Sequence, residues 1–386
     1  MIKKTFGKTG AEISVLGFGC MRLPLTDPQE PTSIDQDLAT AMIRKAIDGG
    51  INYVDTAWPY HSNSRQDPGA SEPLVAEALK NGYREKVHLT TKLPLWLIKE
   101  RKDMDKYLDQ QLKRLNSSHL DFYLAHNINS LVWPQIKDLG LFKFLDEALK
   151  DGRIKHAGFS FHDRYPIFEE VIGSYDWSFA QIQYNYLDVE YQAGRKGAQL
   201  VKERGMGLII MEPLRGGFLI NHMPDELRQM LAGIRPDWSL ADWGLRWLWN
   251  QPEVDLVLSG MSDMSQVEEN LKIASTPVKM TEEDFAALEK VRLFFKERLK
   301  VNCTSCGYCL PCPEGVNIPK NFSFYNDYHM VDSDEVRGRA KFYFTGQVAP
   351  HEKFDHCVHC GQCEEKCPQS LPISELMYDV ARVFGQ

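Results

Sequence analysis

VHLTTKL (87–93), KDMDKYLDQQLKRLN (102–116) and LDFYLAH (120–126) decide the fold. The two outer runs are too short for helices and read as buried strands, whereas the middle segment has an amphipathic helical pattern. A strand, a helix and a strand in that order form a crossover unit, which places the strands parallel.

The same rhythm extends in both directions. Upstream lie ISVLGFG (13–19) and NYVDTA (52–57), and downstream IKHAGFSF (154–161), FAQIQYN (179–185), GLIIMEPL (207–214) and VDLVLSGM (254–261). Amphipathic segments such as DLATAMIRKAIDGG (37–50) and SEPLVAEALKNG (71–82) separate them, and both end in a glycine suited to a helix C-terminus. Eight strand-helix pairs match an α/β fold of the (β/α)8 TIM-barrel type. The rival is a doubly wound open sheet, which calls for G-x-G-x-x-G after the first strand. Gly17-Phe18-Gly19-Cys20-Met21-Arg22 breaks that pattern at the third glycine.

With 386 residues, the chain has room for one large domain and a smaller one. The expected boundary separates a barrel at 1–290 from a smaller, α-rich C-terminal domain at 291–386. TEEDFAALEKVRLFFKERLK (281–300) is the connecting helix, with its charges expected to face solvent. A net charge of −8 without any Lys/Arg block argues against nucleic-acid binding through phosphate neutralisation. No apolar signal core or membrane span is legible, so a cytoplasmic location is expected.

Nine cysteines are unevenly placed. Cys20 stands alone and reads as a buried strand-end residue, while the other eight lie between Cys303 and Cys367. Cys303, Cys306, Cys309 and Cys312 form C-x2-C-x2-C-x2-C-P, and Cys357, Cys360, Cys363 and Cys367 form C-x2-C-x2-C-x3-C-P. In such runs three thiolates turn around one iron-sulfur cube, and the fourth, before a proline, ligates the other. One [4Fe-4S] cluster is therefore expected on Cys303, Cys306, Cys309 and Cys367, and the other on Cys357, Cys360, Cys363 and Cys312. Zinc is the competing metal for C-x2-C pairs, but each run holds more closely spaced cysteines than a paired-motif zinc site uses. The arrangement resembles a bacterial-type two-cluster ferredoxin over 303–368, with a shortened first run and a long gap that helices around Tyr325 to Thr345 are expected to fill.

In a barrel of this kind, chemistry belongs at the C-terminal ends of the strands. Asp55, Lys92 and His126 stand there, and Tyr60 follows Asp55 by five positions. Singly, each has an ordinary role: a loop cap, packing, a solvated charge, a core histidine. Together they supply what carbonyl reduction needs. Tyr60 is the proton donor, Lys92 favours its phenolate, Asp55 holds Lys92, and His126 orients the carbonyl oxygen. Hydride must come from a cofactor.

FGKTGAEISVLGFGCMRLP, VDTAWPY, LTTKLP, FYLAHN, PLRGG and SQVEENL together resemble the aldo-keto reductase family over nearly all of 1–290. The resemblance implies the tetrad Asp55, Tyr60, Lys92 and His126. It also implies nicotinamide contacts from Ser160 and Gln181, with Phe161 where an asparagine is common and Met211 replacing the stacking aromatic. Further implied contacts are Gln266, Glu269 and Asn270 on the adenine side, with Arg215, Gly216 and Gly217 as a pyrophosphate clamp. Gly260 and Gln266 stand where many members carry a basic pair for a 2′-phosphate, so among NAD(P)H cofactors NADH is preferred over NADPH.

The expected function is therefore an oxidoreductase that reduces a carbonyl or oxidises an alcohol and exchanges electrons through two [4Fe-4S] clusters. A ferredoxin, a flavodoxin or another redox protein is the expected partner. Four alternatives stay open at this stage. They are a flavin-linked, ferredoxin-dependent reductase with FMN at the barrel's phosphate position, an ordinary NAD(P)-dependent reductase whose clusters only stabilise the protein or sense oxygen, a nucleotide-sensing regulatory subunit, and a plain electron carrier. Trp58, Trp96 and Trp133 hint at an apolar or aromatic substrate.

Overall fold

The computed structural model describes residues 1–330 and 334–385. Eight parallel strands close into a barrel: β1 (Leu16–Gly19), β2 (Tyr53–Asp55), β3 (His88–Pro94), β4 (Leu120–Ile128), β5 (Ile154–Phe161), β6 (Phe179–Gln183), β7 (Gly207–Met211) and β8 (Leu256–Gly260). β8 pairs with β1 through Val257 opposite Leu16, which completes the ring. All eight apolar runs become strands, because strands enclosed by helices on one side and by barrel interior on the other are buried on both faces.

One run divides. Within ISVLGFG, Ile13 and Ser14 belong to a hairpin, Lys3–Thr5 with Glu12–Ser14, and only Leu16–Gly19 enters the barrel. That hairpin carries Phe6, which packs with Ile13, Tyr53, Phe122, Phe179, Ile209 and Leu256 in one apolar cluster. A Cβ on Gly207 would stand 2.3 Å from the Phe6 ring, so the glycine makes room for it.

The chain divides into two compact units, Met1–Pro213 with Ala241–Met280, and Leu214–Leu240 with Thr281–Gln386. The second unit contains the helix Glu282–Arg298, which starts in a capping box of Thr281 and Asp284. Its stripe of Ala287, Leu288, Val291 and Phe295 is buried. Asp284 is buried too, against the expectation of solvated charges, because Arg235 grips both its oxygens at 2.8 and 2.7 Å. Phe218 packs on Phe295 at 5.4 Å. These contacts explain why 214–240 groups with the C-terminal segment.

Helices Ile318–Met330 and Asp334–Gln347 fill much of the gap between the cysteine runs; the part of the expected helical stretch at 331–333 lies outside the described residues. Among the described residues no helix is long and apolar enough to cross a membrane.

Candidate active site and cluster ligands

Strand geometry brings the four expected reactive groups together. Asp55 is the last residue of β2, and the loop that follows carries Tyr60 back over it. Lys92 lies near the end of β3, opposite Leu124 in the ladder, and His126 lies opposite Pro94. Lys92 Nζ donates to Asp55 Oδ1 at 2.6 Å, to Thr56 O at 2.9 Å and to Tyr60 Oη at 3.2 Å. An ammonium has three hydrogens, and these contacts use all of them. Because Tyr60 Oη accepts from Lys92, the phenol keeps its own proton for a second partner.

Burial sets the charge states. Asp55, Lys92 and His126 are nearly inaccessible. Burial pushes the Asp55 carboxyl above its usual range, and Lys92 opposes that push. The His126 imidazole is held well below its ordinary value, by burial first and then by the charges of Lys92, Arg65 and His162. It is neutral at physiological pH, and a neutral imidazole donates one hydrogen bond. His126 Nδ1 is buried with no hydrogen-bond partner among the described residues.

The Tyr60 loop is fixed by its backbone. Gly69 N donates to Trp58 O at 2.8 Å and Ser71 N to Tyr60 O at 3.3 Å. A Cβ on Gly69 would stand 1.8 Å from Tyr60 O, so only glycine fits. His61, at φ 60°, accepts from Leu23 N through Nε2 at 3.1 Å, so its Nδ1 donates to Pro31 O at 3.1 Å.

Behind Lys92 lies a polar layer that sequence reasoning missed. Gln111 Nε2 donates to Lys92 O at 2.9 Å and to Glu72 Oε1 at 2.9 Å, and Tyr123 Oη donates to Gln111 Oε1 at 2.8 Å. Arg114 neutralises the buried Glu72 at 2.7 Å. One signal was available: Met104, Leu108 and Gln111 form the buried stripe of the helix Arg101–Arg114, with a polar residue at the third position.

The expected cofactor residues separate into groups. Ser160 is buried on β5 and its Oγ accepts from Asn127 N at 2.8 Å. Gln181 Nε2 lies 3.5 Å from the Met211 sulfur. Gln181 Oε1 and Asn127 Oδ1 are buried without hydrogen-bond partners among the described residues. Such oxygens fit a ligand amide that donates, as the nicotinamide carboxamide does. Phe161 does not line that place. Side chains alternate along a strand, and its ring packs at 5.1 Å on Phe168 of the surrounding helix Tyr165–Gly173.

At the end of β8, Gly260 is exposed and the Arg22 side chain lies alongside it. Gln266 is engaged by the start of its own helix, Met264–Ser275: its N donates to the N-cap Asp263 at 2.9 Å and its Nε2 to the same carboxylate at 2.6 Å. Asn270 donates to Ser259 Oγ at 3.0 Å, and Glu269 is half-buried on that helix. Arg215, Gly216 and Gly217 take φ of 52°, 64° and 89°, a left-handed turn. They belong to the compact unit that holds the cysteines.

In that unit Cys303, Cys309, Cys312, Cys357, Cys363 and Cys367 pack around Val301, Val316, Ile318, Phe322 and Met377. Among the described residues no three ligand side chains stand close enough to hold one ion directly. The thiols group over wider distances. The Cys303 and Cys309 thiols are pushed up by burial and both feel Cys367, Cys309 feels Cys363 as well, and Cys357 and Cys363, also raised by burial, feel Cys312. The guanidinium of Arg215, buried on the face of Phe218 at 5.2 Å, opposes the rise at Cys303. Cys309 is buried and Cys360 is exposed. Eight cysteines in two closely spaced runs, most of them packed in one apolar cluster, fit two [4Fe-4S] clusters.

"Uncharacterized oxidoreductase YqkF" of Bacillus subtilis is 24% identical over 318 residues, covering 75% of this chain and 96% of its own. "Probable aldo-keto reductase 1" of Glycine max is 26% identical over 326 residues, covering 72% and 85%. Among solved structures, the holo form of aldo-keto reductase AKR11C1 from Bacillus halodurans superposes with a TM-score of 0.62 at 22% identity, covering 75% of this chain and 96% of that one. An aldo-keto reductase from Klebsiella pneumoniae in complex with NADPH gives 0.59 at 21% identity, covering 76% and 96%. The 4Fe-4S dicluster domain profile matches residues 302–371. With the Aldo/keto reductase family profile matching residues 15–293, the chain belongs to that family and is an oxidoreductase that carries a C-terminal iron-sulfur domain.

Proposed function

We propose that the protein reduces a small-molecule carbonyl, or oxidises the matching alcohol, at Asp55, Tyr60, Lys92 and His126, and exchanges electrons with a redox protein through two [4Fe-4S] clusters. The observation that carries this reading is the Lys92 ammonium, which donates at once to Asp55 and to Tyr60 Oη. When bound, a nicotinamide nucleotide held at its amide by Gln181 and Asn127 would supply the hydride for the carbonyl carbon. Tyr60 gives its proton to the carbonyl oxygen, so the C=O π bond is replaced by one C–H and one O–H bond. Lys92 stabilises the phenolate that remains, Asp55 holds Lys92, and neutral His126 donates to the same oxygen.

Gln181 and Asn127 are the groups that support a nicotinamide amide. NADH is the preferred nucleotide. Although burial pushes the Asp263 carboxyl up, hydrogen bonds from Ser265 and Gln266 bring it below its usual range, so a negative charge stands at the helix start beside Gln266. Such a charge repels a 2′-phosphate. FMN at the same phosphate position is the competing cofactor, and an extract without flavin absorbance removes it. The test of the proposal is anaerobic stopped-flow with NADH and a panel of aldehydes. Tyr60→Phe is expected to lower turnover by about 10²- to 10⁴-fold, the usual worth of a positioned proton donor. Unchanged turnover refutes the reading.

A further inference from the structure

We propose that Arg65 makes this active site selective for carbonyl compounds that carry a carboxylate, with the Arg65 guanidinium as the anion's anchor. The inference rests on the carbonyl reduction proposed above and names its substrate class.

Arg65 lies in the loop between Tyr60 and Gly69, and two contacts with Trp96 fix it. Trp96 Nε1 donates to Arg65 O at 3.1 Å, and the Arg65 guanidinium lies over the Trp96 ring at 4.0 Å. The same ring meets His126 at 5.2 Å between centroids, and Tyr60 meets His126 at 6.2 Å. Backbone and side chain of Arg65 are thus both held by the residue that packs on the carbonyl-orienting imidazole. The guanidinium's charge is felt at His126 and at His162, whose imidazole is pushed down to about 3, by burial first and Arg65 next. Both imidazoles are neutral at physiological pH, and Lys92 is taken by Asp55. Arg65 therefore brings a second fixed cation to the neighbourhood of the reacting oxygen.

Trp96 touches both Arg65 and His126, so its ring lines the space beside the anchor and the imidazole. An aromatic or extended spacer fits the Trp96 face. Trp133, expected near the substrate, is buried and donates to Glu170 at 2.8 Å, which leaves it a packing role. The apolar substrate hinted at by the tryptophans becomes an amphipathic one: an apolar body with a charged end.

The experiment compares 4-carboxybenzaldehyde with neutral 4-carbamoylbenzaldehyde, using the full chain purified anaerobically with its clusters. Wild type is expected to favour the carboxylate in kcat/KM. Arg65→Gln is expected to lower that preference about 10- to 100-fold, the range for losing one charge-assisted hydrogen bond, with Arg65→Lys between. A wild type that prefers the amide, or an Arg65→Gln variant that keeps the preference, overturns the inference.

Binding of benzoate against benzamide, read by tryptophan fluorescence, is independent of turnover. If neither aldehyde is reduced but benzoate binds and Arg65→Gln weakens it, carbonyl reduction fails and the anion site stands. If both aldehydes are reduced alike and benzoate does not bind, the anion site fails alone. Loss of both readouts in wild type rejects both.

Discussion

Replacing Lys92 with methionine keeps an unbranched apolar stem and removes the ammonium that joins three groups. In wild type, Lys92 is wholly inaccessible and pairs at 2.6 Å with Asp55, which is 2% exposed. Lys92→Met strands that carboxylate, and removing one partner of a buried pair costs about 3 to 5 kcal/mol. For a unit of this size, each kcal/mol moves the melting temperature by about 2 to 4 °C, so a fall of roughly 6 to 20 °C is expected. Asp55→Asn in the same chain removes the stranded charge, and burial already pushes that carboxyl toward its neutral form. The double variant is therefore expected to recover more than half of the loss while staying inactive. Scanning calorimetry on the four members of the cycle gives the coupling directly. A single variant that melts with wild type, or a double variant no more stable than Lys92→Met, refutes the description of this pair as the buried hub of the site.

Three further outcomes are expected. Gly69→Ala puts a carbon against Tyr60 O and displaces the proton donor, so kcat is expected to fall about 100-fold, the scale for a displacement near 1 Å, with far-UV circular dichroism retained. His126 and His162 are held neutral in the fold but gain protons near pH 6.5 when unfolded; stability present above that pH is lost as pH falls, by about 1.4 kcal/mol per unit for each, and urea titrations of His162→Gln should show a shallower loss. Among cysteine variants, Cys303→Ser with Cys367→Ser removes two ligands of one cube and should leave about four irons per chain, whereas Cys303→Ser with Cys312→Ser damages both cubes; equal iron in the two double variants contradicts crossed ligation.

Legibility followed the range of the interactions. The eight strands were readable because two-sided burial writes itself as short apolar runs. The break at Val15 was not, since hairpin and barrel both bury their residues there and the run looks continuous. Asp55, Lys92 and His126 were readable because strand ends fix their places. Phe161 turns away from the side of its strand that carries Ser160, which strand alternation already implies. The Gly69 contact on Tyr60, the Gln111 support beneath Lys92 and the stacking of Arg65 on Trp96 each join segments across loops or between a helix and a strand. No local pattern announces those meetings.

On the proposed function, proton and electron handling fall to different residues, and this accounts for the company they keep. Carbonyl reduction consumes one hydride and one proton, and the tetrad's part is the proton, from a phenol whose oxygen is fixed by Lys92. That site must exclude water and hold its charges still, which explains three reactive groups buried to within a few per cent. The cysteine unit faces a different demand. In this proposal each cube would take one electron at a time, and exposed Cys360 would give an accessible edge for exchange with another protein, while Cys309 lies buried. Two cubes can store two electrons, but a hydride reaches them only through a two-electron, one-electron converter such as a flavin, so flavin content decides whether barrel and clusters share electrons.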